Sequence, residues 1–231
     1  MTSSGEGTGA RDAGTTESGS SLWELSAHRD KAVRAAAARN PSTPTDLLKM
    51  LAADKHHLVR FAVAENPNPR AWAVALGAAD SDVRVILAQR GDLDGETLER
   101  LIIAPEREVR VSVVESTDRA DVVRRLARDP DVHVRAAAAT RPELLSDADL
   151  ELLAADRIAQ VRAVAVQSRR LSPRTVTRLA ADRSGNVRYF TLHAHPERLD
   201  LAKIMQEDKE TDIAELARRR LPPALRDGPR T

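Results

Sequence analysis

Short apolar runs that begin with Val-Arg recur along the chain at a nearly constant spacing. Within each run, the residues three, four and five positions after the valine are mostly small and apolar. A short helix that is apolar on several sides is expected to lie buried between neighbours. The valines are 24 to 27 residues apart, and a weaker copy begins at Ile213; the seven Val-Arg pairs begin at Val33, Val59, Val83, Val109, Val134, Val161 and Val187.

A second apolar pair precedes each valine by eleven and eight residues, as Leu48 and Leu51 precede Val59. Two apolar positions three apart share one face of a helix, so each unit is predicted to contain two short helices. Proline follows several of the Val-Arg helices, where it would end them. A repeat of about 26 residues predicts an all-α solenoid, because each unit can bury its apolar side only against its neighbours.

Three segments are predicted from composition. Residues 1–20 are mostly Gly, Ser, Thr and Glu and predict a disordered N-terminal tail. Residues 21–221 form the solenoid, with a half-repeat cap, seven Val-Arg repeats and a degenerate C-terminal cap. Residues 222–231 are predicted to be a frayed tail.

Composition then narrows the class of protein. The 36 Lys and Arg nearly cancel the 35 Asp and Glu, so no general attraction to nucleic acid or acidic membranes follows. The absence of cysteine excludes disulfides and Cys-bound metal clusters. No apolar run approaches the ~20 residues of a membrane helix, and the N-terminus has no secretory signal. The expectation is a cytoplasmic protein with no membrane segment, no cofactor and no metal site.

An aspartate stands five residues before the valine in several repeats. Such a residue ahead of an apolar helix predicts an N-cap, since its carboxylate accepts N–H groups of the first turn. The aspartates are Asp54, Asp129, Asp156, Asp182 and Asp208.

From Val33 to Asp54 the chain reads Val-Arg-x-Ala-x-Ala-x-Asn-Pro-x-Thr-Pro-x-x-Leu-Leu-x-x-Leu-Ala-x-Asp. This pattern resembles the leucine-rich repeat variant family, a relative of HEAT-type solenoids, over roughly residues 22–221. The resemblance implies a right-handed superhelix in which α-helices alternate with 3₁₀-helices. The iron–sulfur cluster of the founding member does not carry over, because its cysteine ligands are missing here.

HEAT-type repeats also share an aspartate and an arginine whose side chains pair along the stack. The resemblance therefore implies a structural ladder of residues six apart. The alternative is a row of phosphate-binding arginines along a nucleic-acid backbone. The ladder pairs are Asp54 and Arg60, Asp129 and Arg135, Asp156 and Arg162, and Asp182 and Arg188.

The residue six positions after each valine is polar and varies from repeat to repeat, which predicts solvent exposure. Together with the residues two positions after the valine, this row could form a groove that binds a protein or peptide. Phe61 and Tyr189 are the predicted anchors, since large aromatic residues dominate binding energies. The predicted partner-binding residues are Arg39, Phe61, Glu65, Gln89, Glu115, Thr140, Gln167, Tyr189 and His193.

The chain has no phosphate-cradling loop, nucleophile elbow or zinc-protease motif. The favoured function is a non-catalytic protein–protein interaction scaffold, with no catalytic residue. The alternative is a DNA-binding protein, or one like the bacterial DNA glycosylases for alkylated bases that use HEAT-like solenoids; this rests on fold analogy. A third hypothesis is a structural spacer. A positive groove with a buried, unpaired carboxylate would favour the DNA-binding alternative, and a neutral, varied groove would favour the scaffold.

Overall fold

The computed structural model describes residues 21–226, and in that range it contains helices and turns but no strand. The chain divides into two compact units, Met1–Ser116 and Thr117–Thr231. The predicted tail at residues 1–20, and residues 227–231 of the predicted frayed segment, lie outside the described residues. The all-α solenoid fold expected from the repeat is confirmed.

The first unit alternates two kinds of helix. Helices with even numbers carry the Val-Arg pairs, and helices with odd numbers carry the leucine positions. Each even helix packs on the next even helix, and α3, α5 and α7 pack in order beside them. The helices are α1 (21–26), α2 (Lys31–Arg39), α3 (Thr45–Ala52), α4 (His57–Ala64), α5 (Pro69–Leu76), α6 (Ser81–Ala88), α7 (Gly95–Ile102) and α8 (Arg107–Ser116).

The second unit repeats this arrangement with two additions. A 3₁₀ turn, Pro142–Leu144, precedes α11, and the predicted frayed segment contains the one-turn helix α17. The Val-Arg helices α10, α12 and α14 again pack in order, followed by α16, which carries the weaker copy at Ile213. The helices are α9 (Ala120–Leu126), α10 (Val132–Ala139), α11 (Asp147–Ala154), α12 (Ala159–Ala165), α13 (Pro173–Ala180), α14 (Gly185–Ala194), α15 (Leu199–Met205), α16 (Thr211–Arg220) and α17 (Pro223–Arg226).

The core is a strip between the two rows of helices in each unit. The valines of the Val-Arg pairs from Val59 to Val187 are fully buried, as are Leu48 and Leu51. A third buried position, twelve residues before the valine, was not predicted; Leu47 and Leu201 occupy it. Burial at twelve, eleven and eight residues before the valine has the α-helical period.

The leucine helices are α-helices of seven or eight residues, so the 3₁₀-helices implied by the family resemblance are wrong for the described repeats. The physical reason is the buried pattern. A 3₁₀-helix aligns residues three apart and would turn either Leu47 or Leu51 away from the core. Several of these helices also begin with a side-chain cap or a proline, as α13 does at Ser172 and Pro173.

The aspartates predicted as N-caps lie two residues ahead of the true caps. Asp54 accepts the N–H of His56 at 2.8 Å, and His56 is the N-cap of α4. Asp182 accepts the N–H of Ser184 at 2.9 Å in the same way. These carboxylates stabilise the turn before the helix. One oxygen accepts the backbone N–H, and the carboxylate can still accept hydrogen bonds from another partner.

Candidate functional site

Arginines of the Val-Arg pairs connect their own repeat to the next one, as Arg162 and Arg188 do. Arg162 donates from Nη1 to the backbone oxygen of Asp156, six residues earlier, at 2.7 Å. Its Nε and Nη2 donate to the two carboxylate oxygens of Asp182, 20 residues later, both at 2.7 Å. Arg188 makes the same contacts with Asp182 and Asp208. One guanidinium thus joins two repeats.

The implied pairing of side chains six residues apart is therefore wrong. The residue six before the arginine supplies only its backbone oxygen, which explains why His28 and Ala78 can occupy that position. The carboxylate comes from the following repeat. The observed pairs are Arg34 with Asp54, Arg60 with Asp80, Arg84 with Glu106, Arg135 with Asp156, Arg162 with Asp182, and Arg188 with Asp208.

The pairs are well shielded from water. The Arg162 and Asp182 side chains are 7% and 9% exposed. Burial raises the pKa of Asp182, but the hydrogen bonds from Arg162 and from the Ser184 N–H outweigh it and hold the pKa below its usual value. For Asp54, the hydrogen bond from Arg34 is the main cause of its lowered pKa. Arg162 and Arg188, whose side chains are each 7% exposed and paired with a carboxylate, are therefore not available to bind phosphate.

A second set of contacts, which sequence reasoning missed, joins the C-terminal ends of successive Val-Arg helices, opposite the ends that carry the ion pairs. Asn66 is fully buried and donates to the backbone oxygens of Ala38 and Asn40, at 2.6 and 2.9 Å. Arg90 donates from its guanidinium to the oxygen of Glu65 at 2.9 Å and lies over the ring of Trp72. Each satisfies carbonyls at the end of the preceding helix. The sequence signal that could have predicted these contacts is the polar residue seven positions after the valine, which is Asn66 after Val59 and Arg90 after Val83.

All seven residues six positions after the valine are exposed. We call them the outer row. In the first unit the row is Arg39, Glu65, Gln89 and Glu115, and in the second it is Thr140, Gln167 and His193.

In the first unit, Arg39 donates from Nε to the Glu65 carboxylate at 2.7 Å, one repeat away. Phe61 is half-buried, and its ring centroid lies 5.4 Å from that of His57. In the predicted apolar base of the groove, Phe61, Val85 and Val111 are half-buried, whereas Ala35 is buried.

In the second unit, fewer residues of the predicted apolar base are exposed, because Ala136 and Ala163 are buried. Tyr189 is 38% exposed and stacks on His193, with centroids 6.1 Å apart. Each unit therefore places one aromatic residue beside a histidine on its surface, and the second unit's outer row has no formally charged residue when His193 is neutral.

A separate concave surface lies in the first unit, away from the outer row. It is a cleft of about 840 Å³ between α3 and α5, and none of the predicted partner-binding residues lines it. Its walls include Lys49, Arg70 and the paired Arg60 and Asp80. Sequence reasoning missed this cleft because it depends on the distance between two neighbouring leucine helices.

No cluster of metal-ligand residues occurs within residues 21–226. His195 is buried, and its Nε2 lies 3.2 Å from the backbone oxygen of Val166. In the same described range, none of the helices has the length and apolar character to cross a membrane.

Comparison with known proteins gives one family and one informative structure. The model of the family "Leucine rich repeat variant" matches residues 32–56. A solved structure described as a leucine-rich repeat variant with a novel repetitive protein structural motif is 25% identical to this chain. It aligns over 89% of this chain and 83% of its own, with a TM-score of 0.65.

The crystal structure of an engineered protein is 15% identical, covers 87% of this chain and 94% of its own, and has a TM-score of 0.23, which is too low to support an argument. No curated protein matches the sequence. The chain is therefore similar to the leucine-rich repeat variant family in the matched repeat, which recurs from Val59 to Val187, and it shares the helical solenoid fold of the solved variant.

Proposed function

We propose that this helical repeat protein is a non-catalytic scaffold that binds a protein partner through the outer row of its units. One observation carries the proposal: the outer row is exposed and chemically varied, whereas the arginine recurs in every Val-Arg pair and is buried in five of the seven, with Arg60 and Arg84 half-buried. A solenoid keeps constant the residues that join its repeats and varies those that meet a partner.

The charge of the outer row supports a protein partner. Arg39 and Glu65 neutralise each other, and Gln89, Thr140 and Gln167 are uncharged. A surface without net positive charge gives little attraction for a phosphate backbone, whose binding depends on Lys and Arg contacts. Phe61 and Tyr189 supply the aromatic contact area that usually dominates a protein interface.

The experiment is affinity capture by the full chain from a lysate of its native host, with bound proteins quantified by mass spectrometry. The test variant is Phe61→Ala with Tyr189→Ala. The matched control is Met50→Ala with Leu152→Ala, which removes one exposed apolar side chain per unit from leucine helices, where Met50 is 44% and Leu152 45% exposed.

Anchor residues typically contribute about 2 kcal/mol each, or roughly 30-fold in affinity. Proteins bound by the wild type should therefore be lost from the test variant and kept by the control, with similar melting temperatures for all three chains. Capture of the same proteins in the same amounts by the test variant would refute the proposal.

A second candidate function, binding of a nucleic-acid backbone, is favoured by one feature of the second unit. Between residues 157 and 196 there are eight arginines and one acidic residue, Asp182. Arg157, Arg174, Arg178 and Arg183 are exposed, and within residues 21–226 none of them has a carboxylate partner. Exposed, unpaired arginines are typical phosphate contacts.

Within residues 21–226, the buried carboxylates that a base-excising protein could use are engaged. Glu106 has a buried Oε2 without a hydrogen-bond partner, but its Oε1 is paired with Arg84. Asp129 accepts the N–H of Asp131, and Asp149 accepts from Ser146 and Arg128. Binding itself is tested by fluorescence anisotropy with a labelled DNA duplex. If it occurs, affinity should fall steeply between 50 and 200 mM salt. It should also fall in Arg174→Glu with Arg178→Glu, but not in Arg100→Glu.

A further inference from the structure

The cleft between α3 and α5 has a small-residue floor and a basic edge. Its floor is built from Ala52, Ala53, Ala73, Val74 and Ala78. Its volume of about 840 Å³ lies within the range of sites that hold a ligand or a peptide segment. The short side chains of the floor leave room for a bound peptide to approach the helix surface closely.

One reason for the open space is the composition of this repeat, whose valine lies 24 residues after the previous one. Ala78 occupies the position where five other repeats have an aspartate, so the arginine of the preceding repeat pairs with Asp80 instead. Gly77, which ends α5, also lines the cleft.

The ion pair at the cleft, which uses Asp80 because Ala78 stands in the usual aspartate position, is more exposed than the Val-Arg ion pairs of the second unit. The Arg60 and Asp80 side chains are 22% and 23% exposed, whereas those of Arg162 and Asp182 are 7% and 9% exposed. Both Nε and Nη2 of Arg60 contact the same oxygen, Oδ2 of Asp80, and Oδ1 accepts the N–H of Asp82.

Arg60 therefore retains hydrogen-bonding capacity on the cleft side. Its other bond is from Nη1 to the backbone oxygen of Asp54 at 2.8 Å. A guanidinium has five N–H donors, and three are used by these contacts. The remaining donors can serve an anion that enters the cleft.

Two further cations stand on the cleft wall. The guanidinium of Arg70 has no hydrogen-bond or ion-pair partner among residues 21–226. Lys49 lies 3.8 Å from Asp46, and both side chains are mostly exposed, so this contact is weak. The wall thus offers positive charge that the protein does not neutralise firmly.

We propose that this cleft binds an acidic, extended segment of a protein partner, with a glutamate or aspartate carboxylate held by Arg70 and Arg60. Small neighbours of that acidic residue rest on the alanine floor. Arginine–carboxylate pairs are strong and directional, so the cleft contributes specificity as well as affinity. The inference rests on the proposed function, because it names the kind of segment that such a partner presents.

The test uses the ¹⁵N-labelled full chain and two pooled libraries of acetylated, amidated pentapeptides. The libraries share random flanking residues and differ in the central residue, glutamate in one and glutamine in the other. The glutamate library should shift the amide signals of Ala73, Val74 and Gly77 and bind at least about tenfold more tightly than the glutamine library. Raising the salt concentration should reduce this preference.

Two variants locate the site. Arg70→Gln should remove most of the preference for glutamate, and Ala73→Trp should block binding by filling the cleft. Arg174→Gln is the matched control: Arg174, like Arg70, follows a proline at the first position of a leucine helix and is exposed. It should bind as the wild type does.

The inference is overturned if the glutamate library does not bind, if the two libraries bind equally, or if Arg174→Gln weakens binding as much as Arg70→Gln. These results leave the proposed function standing, since that depends on Phe61 and Tyr189 outside the cleft. Conversely, unchanged capture by the Phe61→Ala and Tyr189→Ala variant refutes the outer-row proposal without affecting the peptide titration.

Discussion

Replacing Arg162 by alanine should destabilise the second unit strongly, because it leaves Asp182 as an uncompensated charge. Arg162 supplies both oxygens of that carboxylate with hydrogen bonds of 2.7 Å and also binds the backbone oxygen of Asp156. After the change, Asp182 keeps the backbone N–H of Ser184 as a hydrogen-bond donor. Breaking a buried pair from one side costs about 3–5 kcal/mol.

The residual exposure of the pair, 7% and 9%, favours the lower end of that range, about 3 kcal/mol. For a chain of this size, each kcal/mol lowers the melting temperature by about 2–4 °C, so we expect a decrease of about 6–12 °C at pH 7. The measurement is thermal unfolding followed by circular dichroism, with urea unfolding for the free energy.

Two further variants separate the possible causes. Arg219→Ala breaks an exposed ion pair with Glu215, whose side chains are 77% and 53% exposed, and should cost no more than about 1 kcal/mol. Arg162→Met with Asp182→Leu removes both charges and should recover most of the lost stability.

The pH dependence gives an independent check. In the wild type the pKa of Asp182 is lowered, so its stabilisation is present above the ordinary value of about 3.9 and is lost as pH falls further. Without Arg162, burial raises that pKa, and protonation relieves the strain. The stability difference between the variant and wild type should therefore shrink as pH falls from 7 towards about 4. A melting temperature within 2 °C of wild type, or a decrease equal to that of Arg219→Ala, would refute the reasoning.

Three other outcomes are expected. Asn66→Ala should lower the free energy of unfolding by about 2 kcal/mol in urea titrations, because it leaves the carbonyls of Ala38 and Asn40 without their buried donor; an unchanged midpoint would contradict this. The wild type should lose stability as pH falls below about 4, since the lowered pKa values of Asp54 and Asp182 favour the folded state only while those groups are ionised; a flat stability profile from pH 6 to pH 3 would count against it. Ser26→Ala should be neutral or stabilising by up to about 1 kcal/mol, as the Ser26 hydroxyl is buried without a partner; a clear loss in calorimetry would be inconsistent.

The sequence alone determined the repeat, the pairing of two short helices per unit and the exposure of the outer row. These features are local or periodic: the valines and leucines recur at helix spacing, and a polar residue six positions after each valine falls on one face of the helix. Packing against neighbouring repeats is therefore enough to bury the apolar side of each unit, as the burial of Val59 and Leu51 shows.

Only the tertiary structure decided which residues join the repeats. In a repeat of about 26 residues, an aspartate that stands six before one arginine also stands about 20 after the preceding arginine. The sequence offset cannot distinguish the two, and Arg162 takes the carboxylate of Asp182 while using only the backbone of Asp156. The cleft likewise depends on how far apart α3 and α5 pack and on how Arg60 contacts Asp80. Distances between repeats are set by side-chain packing across the stack, which no single repeat encodes by itself.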